Sequence, residues 1–146
     1  MGSINFTHDP ETKTTYCVSI DNDGRHYTGK AKCHEQDMDF YTDLTGEIIA
    51  AKRAVEKVYK AELKELKREL RIYDNLLNTF RCGTKYDDER DSNMYRQIMR
   101  QRRLKQDEIY AVLRLIKTNE DDLNEYLRDK EYFYQEMRKM RARQAQ

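Results

Sequence analysis

The chain has 146 residues, 38% of them charged, with one proline and five glycines, which allows one domain and few interruptions. Its mean hydropathy is -1.09, and 28 basic against 27 acidic residues leave a net charge of +1. That balance argues against bulk binding of duplex DNA or RNA, which needs a basic excess. No apolar run approaches the ~18 residues of a membrane span, and Met1-Gly2-Ser3-Ile4 begins no secretory signal.

Thr14 to Ile20 reads as a strand, rich in threonine with Tyr16, Val18 and Ile20. Asp21-Asn22-Asp23-Gly24 follows as a turn, because Asn, Asp and Gly tolerate positive φ. A second strand runs from Arg25 to about Cys33. Alternation puts Tyr27, Gly29, Ala31 and Cys33 on one face, small enough to lie on a helix, and His26, Thr28, Lys30 and Lys32 on the other. A lone hairpin is marginal in water, so it must dock on the helices or on another chain. Ile4 to Phe6 is a candidate third strand.

His34 to Asp37 reads as a loop, with Asp37 or Asp39 as N-cap of the first helix. The apolar stripe of that helix is Leu44, Ile48, Ala51, Val55, Tyr59, Leu63, Leu66, Leu70, Tyr73, Leu77 and Phe80, in steps of three or four. Gly83 closes it as a C-terminal cap would. The second helix begins near Asp87, Asp88, Asp91 or Ser92. Its stripe is Ile109, Val112 or Leu113, Ile116, Leu123, Tyr126 or Leu127, Phe133, Met137 and Met140. The chain therefore reads as one α+β domain, mainly α: a β-hairpin region over 1–37, helix one over 38–82, a linker over 83–92 and helix two over 93–142.

Helices of ~40 and ~50 residues span ~60 and ~75 Å, against a compact radius of about 15 Å for this length. An antiparallel pair leaves thin seams half covered. The sequence therefore predicts an intertwined homodimer or higher oligomer. The apolar steps depart from a strict heptad, which favours a bundle over a plain coiled coil.

The residues suggest no catalytic machinery: no Gly-rich phosphate loop, no Ser/His/Asp arrangement, and histidines only at His8, His26 and His34. The expectation is a protein that is not an enzyme and uses no cofactor. Cys17, Cys33 and Cys82 are an odd set at wide spacing and read as reduced thiols of a cytoplasmic protein. A metal site from Cys17, Cys33, His34 and His26 is disfavoured, because neighbours on a strand point to opposite faces.

Two basic-aromatic clusters remain. Arg96, Arg100 and Arg103 share one helix face within Asn93 to Arg103, and from Arg100 to Glu108 the apolar stripe fails, with Leu104 alone. Such guanidiniums either meet carboxylates or clamp phosphate oxygens. Phe133, Tyr134, Arg138 and Arg141 form the second cluster, suited to stacking on a base and holding phosphate, or to packing the seam.

Tyr27-Thr28-Gly29-Lys30-Ala31-Lys32-Cys33-His34-Glu35-Gln36-Asp37, with Leu44-Thr45-Gly46-Glu47-Ile48-Ile49-Ala50-Ala51-Lys52-Arg53-Ala54 after it, resembles small phage proteins in which a Gly-x-Ala-Lys-Cys-His hairpin leads into a long helix. The resemblance is to the anti-Thoeris "sponge" family of phages. It covers the first half of the chain well and the second half in outline. It implies a non-enzymatic phage anti-defence protein in the cytoplasm of an infected bacterium. Such a protein assembles as interlocked dimers and hexamers, and it sequesters cyclic ADP-ribose-type signals intact. It also implies a pocket at a dimer interface built of an aromatic, an asparagine and helix arginines. Phe80 and Asn93 are the candidates here for the first two, with arginines from either cluster. Lys30, Lys32 and Arg53 are candidates for a second site, for cyclic oligonucleotides. The rival readings are a protein-binding helical inhibitor such as an anti-CRISPR, or a phage structural adaptor.

Overall fold

The structure is a computed structural model. It describes residues 2–83 and 89–145, with side chains except those of 80–83 and 89–91. The element order is β1 (Ser3–Asp9), β2 (Thr14–Ile20), β3 (His26–Lys32), a 3-10 turn (Glu35–Asp37), α1 (Asp43–Gly83) and α2 (Glu89–Gln144). The α+β class holds, but the hairpin is part of a three-stranded antiparallel sheet in the order β1-β2-β3. The third strand expected at Ile4 to Phe6 extends over seven residues, because pairing runs unbroken from Ser3↔Ile20 to Asp9↔Thr14.

The chain folds as two compact units, Met1–Val58 with Lys117–Gln146, and Tyr59–Ile116. In the first, α1 lies on the sheet. The small face read from alternation is the one that packs: Gly29 and Ala31 are buried on β3 and Cys17 on β2, against Ile49, Ala50 and Ala54 of α1. Contact is backbone to backbone, since a Cβ on Gly29 would stand 1.9 Å from the Ala50 carbonyl oxygen. Leu123, Tyr126 and Leu127 of α2 complete this core from another side. Asn119 is buried among them and donates from Nδ2 to the Lys52 carbonyl at 3.0 Å.

The second unit is a helix pair. Leu66, Ile109 and Val112 form its buried centre, flanked by Tyr59, Leu63, Leu70 and Ile116. All seven belong to the apolar stripes read from the sequence, with Val112 rather than the exposed Leu113 at the centre; Leu77 is buried as read, and the Phe80 side chain lies outside the described residues.

Four readings are corrected. The N-cap of α1 is neither Asp37 nor Asp39 but Thr42, whose Oγ1 accepts from the Thr45 amide at 3.2 Å. Leu44 is 64% exposed, because α1 enters facing the sheet with Ile49, Ala50 and Ala54 rather than with the Leu44-Ile48-Ala51 line. On α2, Phe133 and Met140 are exposed, while Tyr134 is 2% exposed and takes the core position. Seven residues from Leu127 is two helical turns, and Tyr134 sits there; Phe133 is rotated off the seam by about 100°. Lastly, α2 includes Asp91 and Ser92, so neither is its cap; Asp87 and Asp88 lie outside the described residues. Among the described residues, no helix is long and apolar enough to cross a membrane.

Candidate functional site

The arginines at 96, 100 and 103 lie in the second unit, on a stretch of α2 just before its apolar stripe starts at Ile109. Helical spacing sets two adjacent rows there. One is Arg96, Arg100 and Arg103; the other is Tyr95, Met99, Arg102 and Gln106. Together these seven side chains line a concavity of about 410 Å³. Acidic partners are the alternative to a phosphate clamp: Asp87, Asp88, Glu89 and Asp91 just before, whose side chains lie outside the described residues, and Glu62, Glu65 and Glu69 across on α1. Carboxylates of α1 go elsewhere: Asp74 takes Arg102 at 2.5 Å, Glu69 takes Lys105 at 2.6 Å, and Glu65 takes Arg68 on its own helix. The Lys105 ammonium is held above its usual range, chiefly by its hydrogen bond to Glu69. Arg96, Arg100 and Arg103 are exposed and form no ion pair with any described residue. Chemically the concavity offers a row of guanidinium forks, unclaimed among the described residues, beside the Tyr95 ring and a polarizable Met99, and Arg102 is braced by Asp74.

The second cluster is different. Arg138 bonds through Nη1 to Asp37, itself 2% exposed, and through Nη2 to Glu131 at 3.1 Å. Arg141 reaches Asp39 at 2.6 Å and stacks on Phe40 at 4.7 Å from the ring centre. Phe40 in turn packs at 5.7 Å from Tyr134. This network fastens the 3-10 turn to α2, and both guanidiniums are occupied by carboxylates. Tyr134 Oη is buried with no hydrogen-bond partner among the described residues. The nearby Thr45 hydroxyl is engaged with Thr42 at 2.9 Å. Burial, opposed in part by Thr45, raises the Tyr134 phenol above its usual range.

The remaining predicted residues are dispersed. Asn93 is exposed near the start of α2, and the Phe80 side chain lies outside the described residues. Lys30 stands over the Tyr16 ring at 5.9 Å, on the sheet face opposite α1. Lys32 lines a separate cavity of about 520 Å³ with Cys33, His34 and Glu35. Arg53 points neither way: its Nη1 donates to the Lys30 carbonyl at 2.6 Å. Cys17 is buried in the sheet core, and Cys33 Sγ donates to the His34 carbonyl at 3.2 Å. Burial raises both thiols above their usual range. Among the described residues no three His, Cys, Asp or Glu side chains gather as a metal site.

Sequence reasoning missed one polar cluster. His8 bonds Thr15 Oγ1 through Nδ1 at 3.1 Å and Glu47 through Nε2 at 3.0 Å, and Thr15 meets the Tyr41 hydroxyl at 3.3 Å. Thr15 is 1% exposed, and a Cβ on Gly46 would fall 2.2 Å from its hydroxyl. These contacts lock β1 and β2 to the start of α1. Separations up to 39 residues left no local signal for them.

No protein-family profile, no curated protein and no solved structure matches this chain.

Proposed function

We propose that the protein is a phage anti-defence sponge. In this reading it binds cyclic ADP-ribose-type signals, and cyclic oligonucleotides at a second site, without degrading them, and so blocks Thoeris immunity in the infected cell. It acts without enzymatic chemistry or cofactor, as a homodimer or hexamer. The observation that supports it is the row Arg96, Arg100 and Arg103, unclaimed by any described carboxylate and beside an aromatic ring. Guanidinium forks match phosphate oxygens, and a ring beside them offers a face for a base. The Tyr27–Ala54 resemblance supplies the ligand class; the arginine row supplies only the preference for an anion. Of the two clusters, this one carries the reading, because Arg138 and Arg141 already hold Asp37 and Asp39.

The test is equilibrium depletion. Purified protein is mixed with a cyclic ADP-ribose isomer, free ligand is measured, and the bound fraction is released by heat and weighed by mass spectrometry. Depletion followed by release of unaltered ligand is expected. The double variant Arg100→Ala/Arg103→Ala should bind at least about tenfold more weakly, since about 1.4 kcal/mol per lost charge-assisted contact is a factor of ten. An unchanged free concentration with wild-type protein refutes the reading, and a cleaved product would make the protein an enzyme instead.

A further inference from the structure

The two edges of the sheet are treated differently. In β3 the outward carbonyls are those of the even-numbered residues His26, Thr28, Lys30 and Lys32. The bonds Asp21 N–H to Arg25 O and Cys33 N–H to Lys13 O, at 3.0 and 3.2 Å, fix odd-numbered residues of β3 as the ones bonded to β2. The two central outward carbonyls are capped from α1, Thr28 by Lys57 Nζ at 2.5 Å and Lys30 by Arg53 Nη1 at 2.6 Å. Basic side chains on an edge are a standard defence against strand addition.

The β1 edge has no such cover among the described residues. The same alternation, carried through Tyr16↔Thr7 and Val18↔Asn5, leaves the backbone groups of Ile4, Phe6 and His8 facing outward. Ser3 to Thr7 are all exposed, and they contain no charge, no proline and no break in register. Ile4 and Phe6 lie on the α1 side of the sheet, opposite Ser19 and Cys17, yet stand 56% and 39% exposed. An apolar lip on the core side of a sheet, beside an open ladder, is what a docking edge presents.

We infer that the β1 edge pairs antiparallel with β1 of a second copy of this chain, about a two-fold axis at Asn5. Centred there, Ile4 faces Phe6 of the other copy twice over. Each such pair exchanges both backbone hydrogen bonds, because these are the outward-facing residues. Isoleucine against phenylalanine is a favourable cross-strand pair, and the two apolar lips bury each other. No charged side chain meets another in this register: His8 faces Gly2, and Asn5 faces Asn5. The strand is thus complementary to itself, as a two-fold interface requires. This gives the self-association a surface, and it does not depend on which ligand, if any, the arginine row binds.

The experiment is sedimentation velocity on the full chain over a wide concentration range, with ligand depletion run separately. Wild-type protein should associate with increasing concentration. Ile4→Lys/Phe6→Lys, which would bring four ammonium groups together, should lose that association while helical circular dichroism is unchanged. Register is read by Asn5→Cys: under mild oxidation it should form a disulfide-linked dimer through position 5, since non-hydrogen-bonded antiparallel pairs approach to about 4.5 Å between α-carbons. Asp23→Cys in the β2–β3 turn should not. A monomeric wild type, a lysine double variant that associates as wild type does, or equal cross-linking from positions 5 and 23 would each overturn the inference. If the lysine variant fails to fold, the cross-linking comparison decides alone. Absence of ligand capture would remove the sponge reading and leave this one standing.

Discussion

The Asp37 carboxylate and the Arg138 guanidinium form an ion pair across 101 residues of sequence, joining the 3-10 turn to the last turns of α2. Asp37 is 3% exposed at its side chain and Arg138 33%. Removing Arg138 leaves a buried charge without its partner, which typically costs several kcal/mol; the half-open arginine side brings the expectation down to about 2–3 kcal/mol for Arg138→Ala. Arg141→Ala should cost less than about 1 kcal/mol, because Arg141 and Asp39 are both exposed. Urea titrations of the two variants check the ordering. Equal losses would mean that the depth of Asp37 does not matter.

The contact of Gly29 with Ala50 admits no side chain. A Cβ would lie 1.9 Å from the Ala50 oxygen and 2.5 Å from the Ala54 nitrogen, both backbone atoms that cannot swing aside. Gly29→Ala should therefore destabilise by about 3 kcal/mol or more, at the upper end of overpacking costs. Gly24→Ala is a control of another kind. Its φ of +79° penalises a side chain, but nothing lies within 4 Å, so a loss of about 1 kcal/mol is expected. Thermal melts of both variants distinguish crowding from backbone strain.

Why the helix pair was legible and the sheet end was not follows from where burial comes from. Between Tyr59 and Leu70, and from Ile109 to Ile116, each helix buries one face against the other, so a single period of three and four finds it. Between Asp43 and Val58, α1 is covered by the sheet on one side and by α2 on another. Two covered faces do not reduce to one stripe, and alanines carry the tighter of them. The exposed Leu44 and the buried Ala50 are the cost of reading size as burial. Asp37 was legible as an acidic residue near a helix start, but its partner lies 101 residues away. The arginine row was visible because helical spacing alone gathers it; that its neighbours Glu69 and Asp74 would choose Lys105 and Arg102 was not.

Alkaline pH should weaken the fold through buried groups that resist ionising. Burial is the main cause that holds the Cys17 and Cys33 thiols and the Tyr41 and Tyr134 phenols above their usual ranges. The unfolded chain releases these protons first, so stability falls as pH rises from about 9 upward. Lys105, raised above its usual range by its hydrogen bond to Glu69, acts in the same direction: its contribution is present below the unfolded value and is lost as pH climbs through the folded one. Tyr134→Phe removes a titrating group and a buried hydroxyl that has no partner among the described residues. Its urea midpoint should match or exceed that of the parent at neutral pH, and its alkaline decline should be shallower. A loss of more than about 1 kcal/mol at neutral pH would show that the hydroxyl is bonded after all.

Asn119 raises the question of what a buried amide is for. It is 9% exposed, and its Nδ2 donates to the Lys52 carbonyl at 3.0 Å. That carbonyl lies inside α1, where the regular ladder already supplies it with an amide donor. Replacing Asn119 by leucine therefore orphans nothing: the amide is removed whole, and the carbonyl keeps its helical bond. Stability should change by less than about 1 kcal/mol, because no buried donor or acceptor is left unsatisfied when the shape is kept. What should change is specificity. A leucine there can slide along Ala51 and its neighbours, whereas the amide fixes one alignment of α2 on α1, as single buried polar residues do in helix pairs. A cross-link engineered between positions 52 and 122, whose side chains pair at 4.0 Å, should form less selectively in Asn119→Leu than in the parent. Equal selectivity together with a stability loss above about 2 kcal/mol would make the hydrogen bond a source of stability instead.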